Sequence, residues 1–377
     1  MSTFGYRPAR MTPPYATCLI KRRKPLRIPP LARGLEPILH KGRTSVVRLW
    51  RRKPRGGGTL AKTRDDDMAR LDDAARAGWL YYVAGNTQEE IAAKLGTSRQ
   101  SAQRLVSLSV SAGLVKVRID HPIAACLEHS RALTAKYGLS FCEVVPSDPR
   151  SDSTTLGIAE ACASEMERRL SQAEPLVMAI GTGRTLKAAV ERLPSMACPQ
   201  HRIVSLTGNI ALDGAASIYN VIFTMADAVQ ARHYPMPLPV VVSSPEERAL
   251  LHEQKVVQST LALAAVASVT FVGVGELGTQ APLVVDRFIT AADRDELTRL
   301  DAVGEIVGWA FDCNGRIIDC AFNDCVASAP IPSTAQGDVI LVAMGRANTT
   351  PIRAALKGRL ANGLITDELT AKALLEV

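Results

Sequence analysis

Residues 86–120 read NTQEEIAAKLGTSRQSAQRLVSLSVSAGLVKVRID. Ile91, Ala92 and Leu95 fall three and four apart, the spacing that gathers apolar side chains on one face of a helix. Thr87 followed three residues later by Glu90 forms a capping box, which starts that helix at about Gln88. Gly96 suits the left-handed residue that ends it. Ser98 then caps a second helix running to about Val110, with Ala102, Leu105, Val106 and Val110 on a common face. Gly113 closes this helix, and LVKVRI alternates as a short strand. Two short helices joined by a tight turn and followed by a strand form the helix-turn-helix pattern, whose second helix can enter the DNA major groove.

The side chains agree with that reading. Arg99, Gln100, Gln103 and Arg104 lie largely off the apolar face, and Arg and Gln are suited to paired bonds with guanine and adenine. Thr87, Gln88 and Ser98, at the two helix starts, complete the candidate DNA-contacting set. A plain helical hairpin would also turn Arg and Gln to water, so the order of cap, glycine turn, second cap and strand carries the distinction. Upstream, MARLDDAARAGWLYYVAG (68–85) offers a supporting helix with an expected apolar stripe of Leu71, Ala74, Ala75, Gly78, Trp79 and Tyr82.

The chain of 377 residues has room for more than one domain. Its net charge of +8 is unevenly distributed. Residues 1–66 hold 17 Lys and Arg against 3 Asp and Glu, so everything after them is mildly acidic. The basic arm contains KRRKPLRIPP and RLWRRKPRGGG, is rich in Pro and Gly, and lacks a sustained period, a composition that favours disorder. Such an arm could add nonspecific phosphate contacts. Alternatively Met68, just beyond Asp65, Asp66 and Asp67, is the native start and the arm an over-extension. The expected divisions are 1–66, an extension; 67–121, a DNA-binding domain; and 122–377, an effector and oligomerisation domain.

Beyond residue 122 the pattern changes to strands alternating with helices. PLVMAIGTGRTLKAAVERLP is an apolar strand, a turn Gly181–Thr185, and a helix from about Leu186. Amides and hydroxyls at such a turn make a cradle for an anion or a sugar hydroxyl. The turn matches neither the dinucleotide fingerprint nor the Walker motif, and it would also serve as a ligand-free connection. HRIVSLTGNI, ASVTFVGVGELG and QGDVILVAMGRANTTPIRAALKGRL repeat the strand–loop–helix theme. An open, mostly parallel α/β sheet follows, with ligands expected beyond the carboxyl ends of its strands.

Several classes are disfavoured. None of the eight cysteines forms a CxxC pair, so free thiols in a reducing cytoplasm are expected, and neither a metal nor a cofactor. The most apolar run, STLALAAVASVTFVGVGELG, is interrupted by Ser, Thr and Gly and reads as a helix leading into a buried strand, not a membrane span. No secretory leader is recognisable. There is no GxSxG elbow or HExxH motif, and none of the six histidines has a catalytic setting. Glu276, Glu305 and Asp312 lie near the candidate loops, where a carboxylate can accept bonds from sugar hydroxyls or serve as an acid or base.

In order along residues 70–377, seven stretches resemble the SorC family (SorC/DeoR-like) of bacterial sugar-responsive transcriptional regulators. They are TQEEIAAKLGTSRQSAQRLVSLSVSAGLVKVRI, GIAEACASEM, AIGTGRTL, VSLTGNI, VGVGELG, VGEIVGWAFDCNGRIID and LKGRLANGLITDELTAKALL. The resemblance implies a helix-turn-helix head and a Rossmann-like α/β effector domain similar to glucosamine-phosphate deaminase and ribose-phosphate isomerase. It also implies a homodimer or homotetramer that binds double-stranded operator DNA and a sugar or polyol effector, phosphorylated in some members. Carried over by position, the effector contacts are Gly181, Thr182, Gly183, Arg184, Thr185, Gly208, Asn209, Gly273, Gly275, Glu276, Glu305, Asp312, Gly345, Arg346 and Asn348. The family often has GGxxK where this chain has MGRAN, which puts Asn348 at the usual Lys. Loss of that ammonium favours an unphosphorylated effector, although Arg184 and Arg346 could compensate. A sugar-phosphate isomerase or deaminase with a DNA-binding head, and a regulator whose sugar domain serves only assembly, are the alternatives.

Overall fold

A computed structural model describes residues 60–115, 123–148, 150, 153–211, 214–216 and 219–376, with the side chains of 60–67 and 153 left out. The basic arm up to residue 59 and the strand expected beyond Val115 lie outside the described residues.

The head contains three helices: α1 Leu60–Tyr82, α2 Gln88–Leu95 and α3 Arg99–Ser111. The α2 start is a complete capping box. Thr87 Oγ1 accepts from the Glu90 amide at 3.3 Å, and Glu90 Oε2 accepts from the Thr87 amide at 2.7 Å. Gly96 ends α2 at φ 62°, a left-handed conformation that suits glycine. Ser98 Oγ then accepts from the Ser101 amide at 3.1 Å and starts α3.

Helix α1 differs from expectation in two respects. It begins at Leu60, so one helix runs across the expected division at 66/67. From Leu60 to Tyr82 only Gly78 interrupts a run without Pro, and Leu, Ala, Lys and Arg extend a helix readily. Its packing face is also rotated from the expected stripe. Ala74, Ala77 and Gly78 are buried, whereas Trp79 and Tyr82 are 56% and 41% exposed. The apolar residues nearly encircle this end of α1, so close approach chooses the face. A Cβ on Gly78 would stand 2.4 Å from Ser109 Oγ and 2.6 Å from a Val115 methyl. The resulting core is small: Ala77, Ile91, Ala92, Ala102 and Val106, flanked by Leu80, Leu95 and Leu105.

The larger domain is built on seven parallel strands in the order β1-β10-β9-β5-β2-β3-β4. Their ranges are β1 Phe141–Val145, β2 Val177–Ile180, β3 Arg202–Ser205, β4 Arg232–Tyr234, β5 Val269–Val272, β9 Asp338–Val342 and β10 Gly363–Asp367. Strands β6 Gly275–Glu276, β7 Gly304–Ile306 and β8 Trp309–Phe311 make a separate antiparallel sheet. That small sheet does not declare itself in the sequence, because its two- and three-residue strands are too short for a period.

Alternate residues of the long strands feed two cores, as the pleat requires. Ala179, Val339, Leu341 and Leu364 pack with helices Ala124–Tyr137, Lys255–Ala265, Thr349–Lys357 and Glu368–Leu375. Met178, Ile180, Phe271, Ile340, Val342 and Ile365 pack with helices Ser153–Leu170, Arg184–Val190 and Val221–Val229. Burial on both faces explains why the strands read as continuous apolar runs. From β2 the chain winds outward through β3 to β4, then returns to β5 on the other side of β2. The adjacent carboxyl ends of β2 and β5 therefore form a topological switch point, where open α/β sheets hold ligands.

Candidate functional site

The exposed surface of the head carries the polar set expected from the sequence. Arg99, Gln100, Gln103 and Arg104 all face solvent on α3. Arg99 forms an exposed pair with Glu89 of α2, Nη1 to Oε1, at 2.9 Å. Thr87 and Ser98 use their hydroxyl oxygens as helix caps, and Gln88 is half-buried. Hydrogen bonds from Thr87, first its amide and then its hydroxyl, hold the Glu90 carboxyl below its ordinary pKa.

At the switch point lies a cavity of about 250 Å³. Thr182, Gly183, Arg184, Thr185 and Leu186 follow β2 and form one wall, and Gly273, Val274 and Gly275 follow β5. The small sheet contributes Glu305, Val307 and Gly308, while Met344 and Asn348 come from beyond β9. Thr207, Tyr219, Leu283, Asp286 and Phe288 complete the polar and apolar walls. Hydroxyl, carboxylate, guanidinium and amide groups spaced among apolar side chains suit a small polyhydroxy molecule.

Three arrangements set the cleft's chemistry. Glu305 is buried and accepts a bond from the Gly308 amide at 2.8 Å. Burial pushes its carboxyl up to about 7, and the amide pulls the other way. Gly275 permits this placement, because a Cβ there would lie 2.2 Å from Glu305 Oε1. On another wall the Tyr219 hydroxyl donates to Asp286 Oδ2 at 2.6 Å and accepts from Arg184 Nε at 3.4 Å. Burial first, and the bond to Asp286 second, raise the Tyr219 pKa. The bond to Tyr219 raises that of Arg184. The Asn348 amide donates to the Met344 carbonyl at 2.7 Å and so ties down its own loop.

Not every expected effector residue lines this cavity. Gly181 lies just behind the wall, where a Cβ would meet a Val307 methyl at 3.2 Å. Gly208 instead lets two backbones cross, since a Cβ there would stand 1.6 Å from the Leu238 carbonyl oxygen. Asn209 is half-buried beside it and outside the lining. Glu276 turns back to accept from the Gly278 amide. Asp312 closes its own turn, accepting from the Asn314 and Arg316 amides at 2.8 and 2.9 Å. Those bonds, chiefly the one from Arg316, lower its pKa. The Gly345 amide donates to Thr370 Oγ1 at 2.8 Å, and Arg346 follows it outside the lining. Conversely, Thr207, Tyr219, Asp286 and Phe288 were not singled out by sequence reasoning. Asp286 offered one signal, a lone carboxylate inside the apolar run PLVVDRFI.

The described cysteines are all free thiols, and burial pushes Cys142 up to about 11. Among the described residues no group of three or more His, Cys, Asp and Glu could hold a metal ion. No helix among them is long and apolar enough to cross a membrane.

The family model described as "Putative sugar-binding domain" matches residues 121–376. Over 310 residues the chain is 35% identical to the "Erythritol catabolism regulatory protein EryD" of Brucella abortus (strain 2308), covering 82% of this chain and 98% of that protein. It is 30% identical over 317 residues to the transcriptional regulator LsrR of Escherichia coli O157:H7, covering 82% and 96%. The full-length sorbitol operon regulator SorC of Klebsiella pneumoniae shares the fold, with a TM-score of 0.59 and 22% identity over 82% of this chain and 99% of that one. These similarities define the class: a DNA-binding transcriptional regulator of carbohydrate or polyol metabolism, controlled by a sugar-type effector. The chain belongs to the SorC family of sugar-binding transcriptional regulators.

Proposed function

We propose that α2 and α3 act as a helix-turn-helix that lays α3 in the major groove of operator DNA in the cytoplasm, and that the cleft binds an unphosphorylated sugar or polyol. The exposed Arg and Gln side chains of α3 support the first part. The observation that carries the second is the cleft at the β2–β5 switch point, lined by Thr182, Thr207, Asp286 and Glu305, with the neutral amide of Asn348 in the lining and no lysine among the described residues there. The relative's name adds a candidate, since EryD regulates erythritol catabolism. The larger domain is read as Rossmann-like and akin to sugar-phosphate isomerases and deaminases, a reading supported by its open parallel sheet. The working form is at least a dimer, because paired heads can read two half-sites where one head has little contact area.

Thermal denaturation of the full chain tests the effector. Erythritol or a related polyol should raise the melting temperature, as any ligand selective for the folded state does, and Thr182→Ala should weaken that response. Failure of every neutral sugar and polyol, with a phosphate ester effective, would overturn the assignment. A second reading rests on Glu305, whose carboxyl titrates near neutrality as an acid–base catalyst requires. Turnover of sugar phosphates by the pure protein, abolished in Glu305→Gln, would establish an enzyme instead.

A further inference from the structure

Among the described residues lining the cleft Arg184 is the one cation, and it is already engaged. It stands at the start of the helix after β2, Tyr219 lies just ahead of helix Val221–Val229, and Asp286 follows the short helix Pro282–Val285. Three segments distant in sequence thus meet in one chain of hydrogen bonds, guanidinium to hydroxyl to carboxylate. Tyr219 is 3% exposed, so its hydroxyl is held rather than free to turn toward water. The donor role is fixed by Asp286, and the acceptor role is taken by Arg184.

Electrostatic consequences follow for any incoming ligand. Asp286 offsets the Arg184 charge through Tyr219, and Glu305 supplies a second acidic group in the same cleft. A phosphate drawn to the remaining Arg184 N–H groups would also have to approach Asp286, a like charge that disfavours it. A neutral polyol meets no such opposition, because its hydroxyls donate to carboxylates and accept from a guanidinium. Asn348, with an amide tied to Met344, adds no compensating charge.

We propose that Tyr219 and Asp286 are the specificity device of this cleft: they orient Arg184 through a hydrogen-bonded chain, offset its charge and set a carboxylate against anions, so the site takes a neutral polyhydroxy ligand and turns its phosphate ester away. The inference rests on the reading of the cleft as the effector site. It adds the residues that select the ligand's charge, and it assigns Arg184 the role of a restrained cation instead of a phosphate anchor.

Calorimetric titration of the full chain at fixed ionic strength tests it, with erythritol, its monophosphate and inorganic phosphate as probes. The wild-type protein should bind the neutral polyol in preference to the monophosphate and bind inorganic phosphate only weakly. Asp286→Asn should tighten binding of the monophosphate and of inorganic phosphate on the order of tenfold, equivalent to about 1.4 kcal/mol. Tyr219→Phe, which removes only the hydroxyl, should shift the preference in the same direction by a smaller factor. Adding Arg184→Gln to Asp286→Asn should abolish the gain, a result that a merely structural role for Asp286 would not produce. Unchanged phosphate affinities in folded Asp286→Asn and Tyr219→Phe would overturn the proposal, as would tighter wild-type binding of the monophosphate than of the polyol. The inorganic phosphate titration separates this proposal from the effector assignment. A gain for inorganic phosphate in Asp286→Asn, with neither erythritol nor its monophosphate bound by the wild type, would sustain the charge device and reject erythritol as the effector. Polyol binding with no gain in either variant would do the reverse.

Discussion

The head and the cleft are held together at different scales. The core of the head consists of five buried side chains, three of them Ala, from helices that follow one another within some fifty residues. The cleft sits on a sheet packed on both faces, and its lining comes from segments spread between Thr182 and Asn348. A small local core makes the head sensitive to single truncations, whereas the cleft is rigidly supported but depends on distant loops meeting correctly. Damage to the two parts should therefore be separable.

Ile91→Ala should have the largest effect. Ile91 is fully buried at the centre of the head, and truncating such a residue costs about 2–5 kcal/mol. Operator binding should be lost while erythritol still raises the melting temperature of the remaining fold. Equal loss of both, measured by gel shift and thermal denaturation, would show that the head and the cleft do not fail separately. The surface of α3 comes next. Arg99→Ala or Gln103→Ala should weaken specific operator binding by about 1–3 kcal/mol each if each removes one good base contact. Binding to random DNA at the same salt should change much less. Because Arg99 also pairs with Glu89, Glu89→Ala provides a control that frees the guanidinium without deleting it.

Glu305 gives a smaller effect confined to a pH window. Its folded pKa of about 7 exceeds the ordinary 4.5, so the folded state binds the proton more tightly than the unfolded chain. Stability from this group is greatest below pH 4.5, declines as pH rises toward about 7, and is level above that. Glu305→Gln should flatten this decline in denaturant titrations between those limits. An identical slope in the variant would place the titration elsewhere. The smallest change is Thr87→Ala, which removes the cap of α2 and should cost about 1 kcal/mol of head stability. It should leave polyol affinity unaltered.

The same contrast explains what could be read from the sequence. The ends of α2 and α3 were legible because Thr87, Glu90, Gly96 and Ser98 act on backbone within a few residues of themselves. The alternation of strands and helices was legible for a similar reason, and it located the turns after β2, β5 and β9. Glycines were less informative. Gly275 makes room for Glu305, whereas Gly208 makes room for the backbone at Leu238, and the two look alike in sequence. Asp312 and Glu276 were plausible ligands by type, yet their oxygens cap nearby amides. Tyr219 and Asp286 escaped notice because their pairing spans 67 residues and has no periodic trace. On α1 the expected stripe holds at Ala74 and Gly78 but not at Trp79 and Tyr82, because Gly78 packs against Ser109, a tertiary choice that hydrophobicity alone does not encode.

If ligand in the cleft controls the head, the two act on one equilibrium, and operator titration followed by fluorescence anisotropy reads that coupling. Saturating erythritol should change the operator Kd of the full chain by about fivefold or more, the usual range of such coupling. Bound operator should change the erythritol Kd by the same factor, as linkage requires. Thr182→Ala should need far more polyol to produce the change, with little alteration of operator binding in its absence. Calorimetry that shows erythritol bound while the operator Kd stays constant would mean that the cleft does not control the head.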